Sequence, residues 1–201
     1  MKHAWALVLV AAAGCVDLKS AYPDRRFYLL ETARAGAERA TSAGTVLRVR
    51  RVSASKMCDG SELVTRTADA VYESDFYNVM FVPPAAQIGE QAQRWLAGSK
   101  LFGHVVGAGS SIPETHVLEA NLVSLHGDLR HGDAAAAVLE IQFLLVQVGA
   151  DPATVVLQKT YREAVVCGAE PAQLVKGWSE GLAKILAALE ADVASAIKSA
   201  T

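Results

Sequence analysis

The sequence predicts an α+β fold, a two-layer sandwich in which a mostly antiparallel sheet carries two main helices packed on one face. Three observations point there. Val117–Leu125, Ala137–Val148 and Thr154–Val166 are long apolar strands in tandem, separated by short turns containing Gly or Pro. Two segments opened by proline, Pro84–Ala97 and Pro171–Ile197, repeat apolar residues at three- and four-residue steps. The 201 residues are 52% hydrophobic and 20% charged, too apolar for a disordered chain and enough to bury a core without metal or disulfide staples.

The elements follow in order. Arg26–Glu31 (RFYLLE) reads as a strand, and the small, polar Ala33–Gly44 as a loop. Thr45–Ser53 alternates, with Leu47 and Val49 facing one way and Arg48 and Arg50 the other, as in a half-buried strand. Cys58–Ser61 is a turn, and Glu62–Arg66 and Ala70–Ser74 form a hairpin. The first helix runs from Pro84 to about Ala97 and ends at Gly98. Leu101–Val106 is a strand, and Gly107–Glu114 a Gly/Ser-rich loop. In the middle strand of the tandem, Leu139, Ile141, Phe143 and Leu145 share one face. The last helix buries a stripe of Leu174, Trp178, Leu182, Ile185, Leu189 and Val193, leaving Lys176, Glu180, Lys184 and Glu190 wet.

The first residues read as an address. Met1-Lys2-His3 is basic, Ala4–Ala13 is a continuous apolar run, and Gly14-Cys15 follows. This is a secretory signal rather than a membrane span, which needs ~20 apolar residues. Ala12-Ala13-Gly14-Cys15 resembles the bacterial lipoprotein box, although Ala12 stands where Leu is more usual. The resemblance implies that Cys15 becomes the first mature residue and carries lipid, a stable anchor at ~0.8 kcal/mol per buried CH₂. The expected organisation is a signal peptide at 1–14, a lipidated N-terminus and short linker at 15–25, and one domain at 26–201. Asp17, rather than Val16, is the first acidic residue after Cys15, which favours outer-membrane delivery. Cys58 and Cys167 then face an oxidising compartment, and the sequence leaves open whether they pair or stay free.

Several chemistries are weakly signalled or excluded. The formal net charge of −2 gives no overall electrostatic footprint for nucleic acid. No G-x-x-x-x-G-K-[ST] occurs, so the chain has no P-loop. Ser110, in Gly107–Ser111, lacks the flanking glycines of a nucleophile elbow. His126-Gly127-Asp128 and His131-Gly132-Asp133 carry zinc-type ligands, but they also suit a hairpin tip. Tyr72, Phe76, Tyr77, Met80 and Phe81 lie beside Asp69, Glu73 and Asp75, a mixture that fits either a docking surface or cover for the domain's own core. Arg48, Arg50 and Arg51 suit an acidic partner, lipid phosphate or a solvated face.

The order of motifs carries a resemblance. RFYLLE after a lipobox, LRVRRVSAS, ELVTRTADAVYESDFYNVMFVPP, QRWLAGSKLF and the terminal KGWSEGLAKILAALEADV are similar to the ABC-type transport auxiliary lipoproteins, the PqiC-like family. Leu63–Pro84 is the most specific stretch, with Tyr72, Asp75, Phe76 and Tyr77 at its centre as partner-interface candidates. The resemblance implies a non-catalytic outer-membrane lipoprotein on the periplasmic side, and neither cofactor nor metal is expected. It implies a homo-oligomer that docks a periplasmic MCE (mammalian-cell-entry) protein served by an inner-membrane ABC transporter or permease. The rival expectations are an envelope-assembly accessory lipoprotein and a periplasmic hydrolase.

Overall fold

The computed structural model describes residues 24–39, 42–132, 134–149 and 152–199. The signal segment, Cys15 and the linker as far as Pro23 lie outside the described residues. Along the chain run β1 (Arg26–Tyr28), β2 (Ser42–Val49), β3 (Ser53–Ala54), a 3₁₀ turn (Lys56–Cys58), β4 (Glu62–Ala68) and β5 (Val71–Met80). Then come α1 (Pro84–Ser99), β6 (Phe102–Gly107), β7 (His116–Asp128), β8 (Ala135–Gln147), β9 (Thr154–Cys167) and α2 (Pro171–Ser199). Among the described residues, no helix is long and apolar enough to cross a membrane.

These elements do not build the mostly antiparallel sandwich that the sequence predicts. They form a curled, mixed and largely parallel half-barrel sheet with two helices. The tandem β7–β8–β9 is the antiparallel meander expected, and β4–β5 is the expected hairpin. The other pairings are parallel: β1 with β5, β2 with both β6 and β7, and β3 and β4 with β7. Parallel neighbours need a crossover rather than a tight turn. Here the β4–β5 hairpin and α1 make that crossover and return β6 beside β2. Alternation marks a strand and its faces, but it says nothing about the direction of a distant neighbour.

β7 is the hub. One edge pairs with β8 along nearly its full length. The other is shared end to end by Leu47–Val49 of β2, Ser53–Ala54 of β3 and Thr65–Arg66 of β4. The surplus residues between these segments are taken up at Arg50–Val52 and by the 3₁₀ turn with Asp59–Ser61. Arg48 steadies the start of β7. Its guanidinium donates to Ser110 O at 2.8 Å, Ile112 O at 2.7 Å and Glu114 Oε2 at 2.8 Å, which folds the loop after β6.

One core joins both helices to the sheet. The expected face of β8 is buried, and α2 presents Trp178, Leu182, Leu186 and Leu189 to it. Gly177 sets the spacing, since a Cβ there would come within 2.6 Å of Ala137 Cβ on β8. α1 buries Ile88, Ala92, Trp95 and Leu96 as its spacing predicts. Gln87 and Gln91 are buried too, because they act as a substitute strand. Leu30 N–H donates to Gln87 Oε1 at 2.7 Å, and Gln91 Nε2 donates to Leu30 O at 2.7 Å.

Glu190 departs from its expected wet position and is 4% exposed. It continues the Leu182–Leu186 row at four-residue steps, so the helix turns it inward. There it accepts from Arg34 Nε at 2.8 Å, Arg39 Nε at 2.6 Å and Trp95 Nε1 at 2.9 Å. The Arg34 bond, opposed by burial and aided by Arg39, holds its pKa at about 2 rather than 4.5. The cluster ties the β1–β2 connection and α1 to α2.

Two outcomes follow for urea unfolding. Gly177→Ala overpacks α2 against β8 and should cost ~1–3 kcal/mol. Glu190→Gln leaves two guanidinium groups without their buried partner and should cost ~3 kcal/mol at neutral pH. Because the folded pKa is depressed, the stabilisation is full above pH 4.5 and is lost as pH falls towards 2. The variant should therefore flatten the pH dependence in that window.

Candidate functional site

The β4–β5 hairpin lies between β1 and β7 in the sheet and stands opposite the start of α2. Between them lies a groove of about 510 Å³, lined by Leu63, Thr65 and Glu73–Tyr77 on one wall and Leu129, Ala169, Pro171 and Leu174 on the other. The hairpin tip is braced from below. Arg130 Nη1 donates to Asp69 Oδ1 at 2.7 Å, while its Nε and Nη2 donate to Asp128 at 2.9 and 2.7 Å. Those bonds from Arg130 hold the Asp128 carboxyl far below the usual range despite partial burial. Ala70 makes the tight turn with φ 61°.

β5 runs six residues beyond its expected end at Ser74, and it does so through a bulge. Leu63 pairs with Asp75, but Glu62 pairs with Val79, so Phe76–Asn78 are looped out of the β4–β5 ladder, while Asn78 still pairs with Arg26 of β1. Asp75 stabilises the bulge. Its Oδ1 accepts from Tyr77 N–H at 2.8 Å and Asn78 N–H at 3.0 Å, and its Oδ2 accepts from Asn78 Nδ2 at 2.7 Å. Burial alone would raise the Asp75 pKa, but these bonds outweigh it and hold it below the usual value. The bulge pushes out Phe76, which is 63% exposed. Its ring meets Tyr77 edge-on at 5.3 Å, and the Arg25 guanidinium lies 4.7 Å from its centroid.

The structure thus gathers Asp75, Phe76 and Tyr77 on one groove and separates Tyr72 from them. Tyr72 does not line the groove. Its ring is edge-on to His126 at 5.5 Å, with the Arg66 guanidinium 5.8 Å from its centroid. The remaining motifs disperse. His126 is buried beside Ser124 Oγ at 2.9 Å, and burial lowers its pKa. His131 is exposed in the β7–β8 turn, and Asp133 lies outside the described residues. Among the described residues, no three His, Cys, Asp or Glu side chains gather as a metal site. Ser110 Oγ accepts from Ile112 N–H at 3.2 Å within its loop.

Cys58 and Cys167 are free thiols. Cys58 lies in the 3₁₀ turn against Val123 O, and Cys167 at the end of β9 beside Gly177 of α2. Arg50 pairs with Glu119 on the neighbouring strand. The bracing role of Arg130 escapes a sequence reading, because Asp69 and Asp128 meet only through the parallel β4–β7 pairing.

Solved structures share this fold. A Xanthomonas campestris protein of the DUF330 family is 16% identical and superposes with a TM-score of 0.76, covering 88% of this chain and 99% of its own. An uncharacterized protein is 17% identical, with a TM-score of 0.65 over 85% of this chain and 99% of its own. A Chlamydia trachomatis hypothetical protein is 10% identical, with a TM-score of 0.53 over 75% of this chain and 98% of its own. Identities this low establish a common fold alone. No family model and no curated protein matches the chain.

Asp75→Ala should release the bulge without unfolding the sheet. Amide exchange at Tyr77 and Asn78 should rise roughly tenfold or more, as the loss of charged hydrogen bonds worth ~1.5–3 kcal/mol implies. Exchange in β8 should stay unchanged, as hydrogen-exchange NMR would show.

Proposed function

We propose that this chain is a non-catalytic, lipid-anchored accessory subunit of an MCE/ABC-type intermembrane lipid transport system. Cys15 ties it to the periplasmic side of the outer membrane, and a homo-oligomer of the domain docks the periplasmic MCE protein. Transport energy comes from the inner-membrane ABC partner, since this chain has no P-loop.

One observation carries the reading. The stretch with the most specific family resemblance, Leu63–Pro84, folds into the hairpin and bulge that form one wall of the groove. Phe76 is held outward there by the turn that the Asp75 carboxylate stabilises, with half-buried Tyr77 edge-on against it. An exposed aromatic side chain fixed beside a cleft of mixed polar and apolar lining suits an anchor position of a protein interface. The fold neighbours support the architecture only.

A photoreactive side chain placed at Phe76 or Tyr77 in the native envelope should cross-link to an MCE-domain protein. The same probe at Val155, exposed on β9, should not. Replacing Phe76 and Tyr77 together by Ala should weaken recovery of that partner about tenfold or more. Recovery of envelope-assembly proteins in place of any MCE protein would overturn the reading.

A further inference from the structure

Phe27 is 57% exposed, Leu29, two residues on, 50%, and Phe81 67%. Phe27 and Phe81 meet edge-on with centroids 5.8 Å apart. Arg25, Phe27 and Leu29 alternate through β1 and its two flanking residues, whereas Leu30 takes the core position at 2% exposure. This row cannot turn inward. β1 is registered on Asn78–Met80, Phe81 N–H donates to Tyr28 O at 2.9 Å, and Gln87 and Gln91 clamp Leu30.

We propose that Phe27, Leu29 and Phe81 form a membrane-contact face that rests on the bilayer holding the anchor. The proposal builds on the lipoprotein reading of Cys15. The tether selects this occupant. Ten residues, Val16–Arg25, follow Cys15, a reach of at most ~35 Å, and Arg25 stands at the head of this face. Whatever else the domain does, this row is held at high effective concentration beside lipid. Phe and Leu enter the headgroup–acyl boundary readily, and Arg25, stacked on Phe76 at the head of the row, places a cation suited to lipid phosphate at its border. Asp24 and Glu31 flank it, so zwitterionic lipid with a minor anionic fraction fits better than a strongly anionic surface. A second copy fits poorly, because a stable protein interface takes ~20–30 residues a side and this row offers a handful. The face fixes the domain's orientation on the bilayer and leaves the groove beside Phe76 and Tyr77 at its border.

The test supplies the tether artificially, so that it does not depend on acylation. The full chain from Val16, carrying an N-terminal hexahistidine tag, is held on phosphatidylethanolamine–phosphatidylglycerol vesicles containing a nickel-chelating lipid. A fluorescent amino acid replaces Phe27 or, as a control, Val166, which is 77% exposed at the end of β9. The expected result is at least severalfold stronger quenching by doxyl-labelled lipid at Phe27 than at Val166. Leu29→Ser with Phe81→Ser should abolish the difference while leaving the urea midpoint of the chain in solution within error. Equal quenching at both positions overturns the proposal. So does loss of quenching at Phe27 accompanied by Phe81-dependent dimerisation, which would assign the face to a second copy. The anchor is judged separately, by the mass of the native chain: an unmodified Cys15 removes the lipoprotein reading whatever the vesicles show. An acylated Cys15 with equal quenching removes only the contact face.

Discussion

A 13-residue strand has two edges, and β7 gives one of them to three separate segments. Leu47–Val49, Ser53–Ala54 and Thr65–Arg66 must each find their own stretch of His116–Asp128, all running parallel to it. Each contributes only two or three ladder positions to that edge, and β2 and β4 are held on their other sides by β6 and β5. What fixes them is that the other edge of β7 is already rigid, zipped to β8, which is zipped to β9 and covered by α2. The close approach at Gly177 presses α2 onto that meander, and the buried Glu190 cluster ties the β1–β2 connection to it. The outlying parts of the molecule are therefore only as well placed as β7 is.

That hierarchy explains what could be read beforehand. Strand and helix positions were legible because local pattern decides them: alternation at Thr45–Ser53, proline at Pro84 and Pro171, and the Leu139–Leu145 face. Antiparallel pairing was legible where a short turn enforced it. The parallel pairings were not, because β2, β3 and β4 meet β7 across a crossover made of a hairpin and a helix. The burial of Glu190 is not legible, because a carboxylate on a helix reads as wet unless its partners are known, and Arg34 and Arg39 lie in a segment that looks like loop. The bulge at Phe76–Asn78 was hidden for a related reason. An aromatic run gives no sign of slipping register until Asp75 is seen to cap Tyr77 and Asn78.

The candidate site inherits its geometry from these same constraints. Tyr72 and Tyr77 are five positions apart in sequence, yet one covers His126 and the other lines the groove, because the bulge and the pleat send them to different places. Arg130 joins the hairpin tip to the end of β7, so the wall carrying Phe76 and Tyr77 is a braced arm rather than a free loop. On the adjoining border, β1 is held by β5 and by two glutamines of α1. The groove and the proposed lipid-contact row thus lie on either side of Arg25.

The functional account stands on the chemistry of one thiol, Cys15. Its direct measurement is the intact mass of the protein extracted from separated inner and outer membranes, beside a Cys15→Ala control. The account predicts an outer-membrane chain that begins at Cys15 and carries the added mass of a diacylglycerol and an amide-linked acyl group, with the control unprocessed or unmodified. A chain without acyl groups, released as a free periplasmic protein, would contradict it.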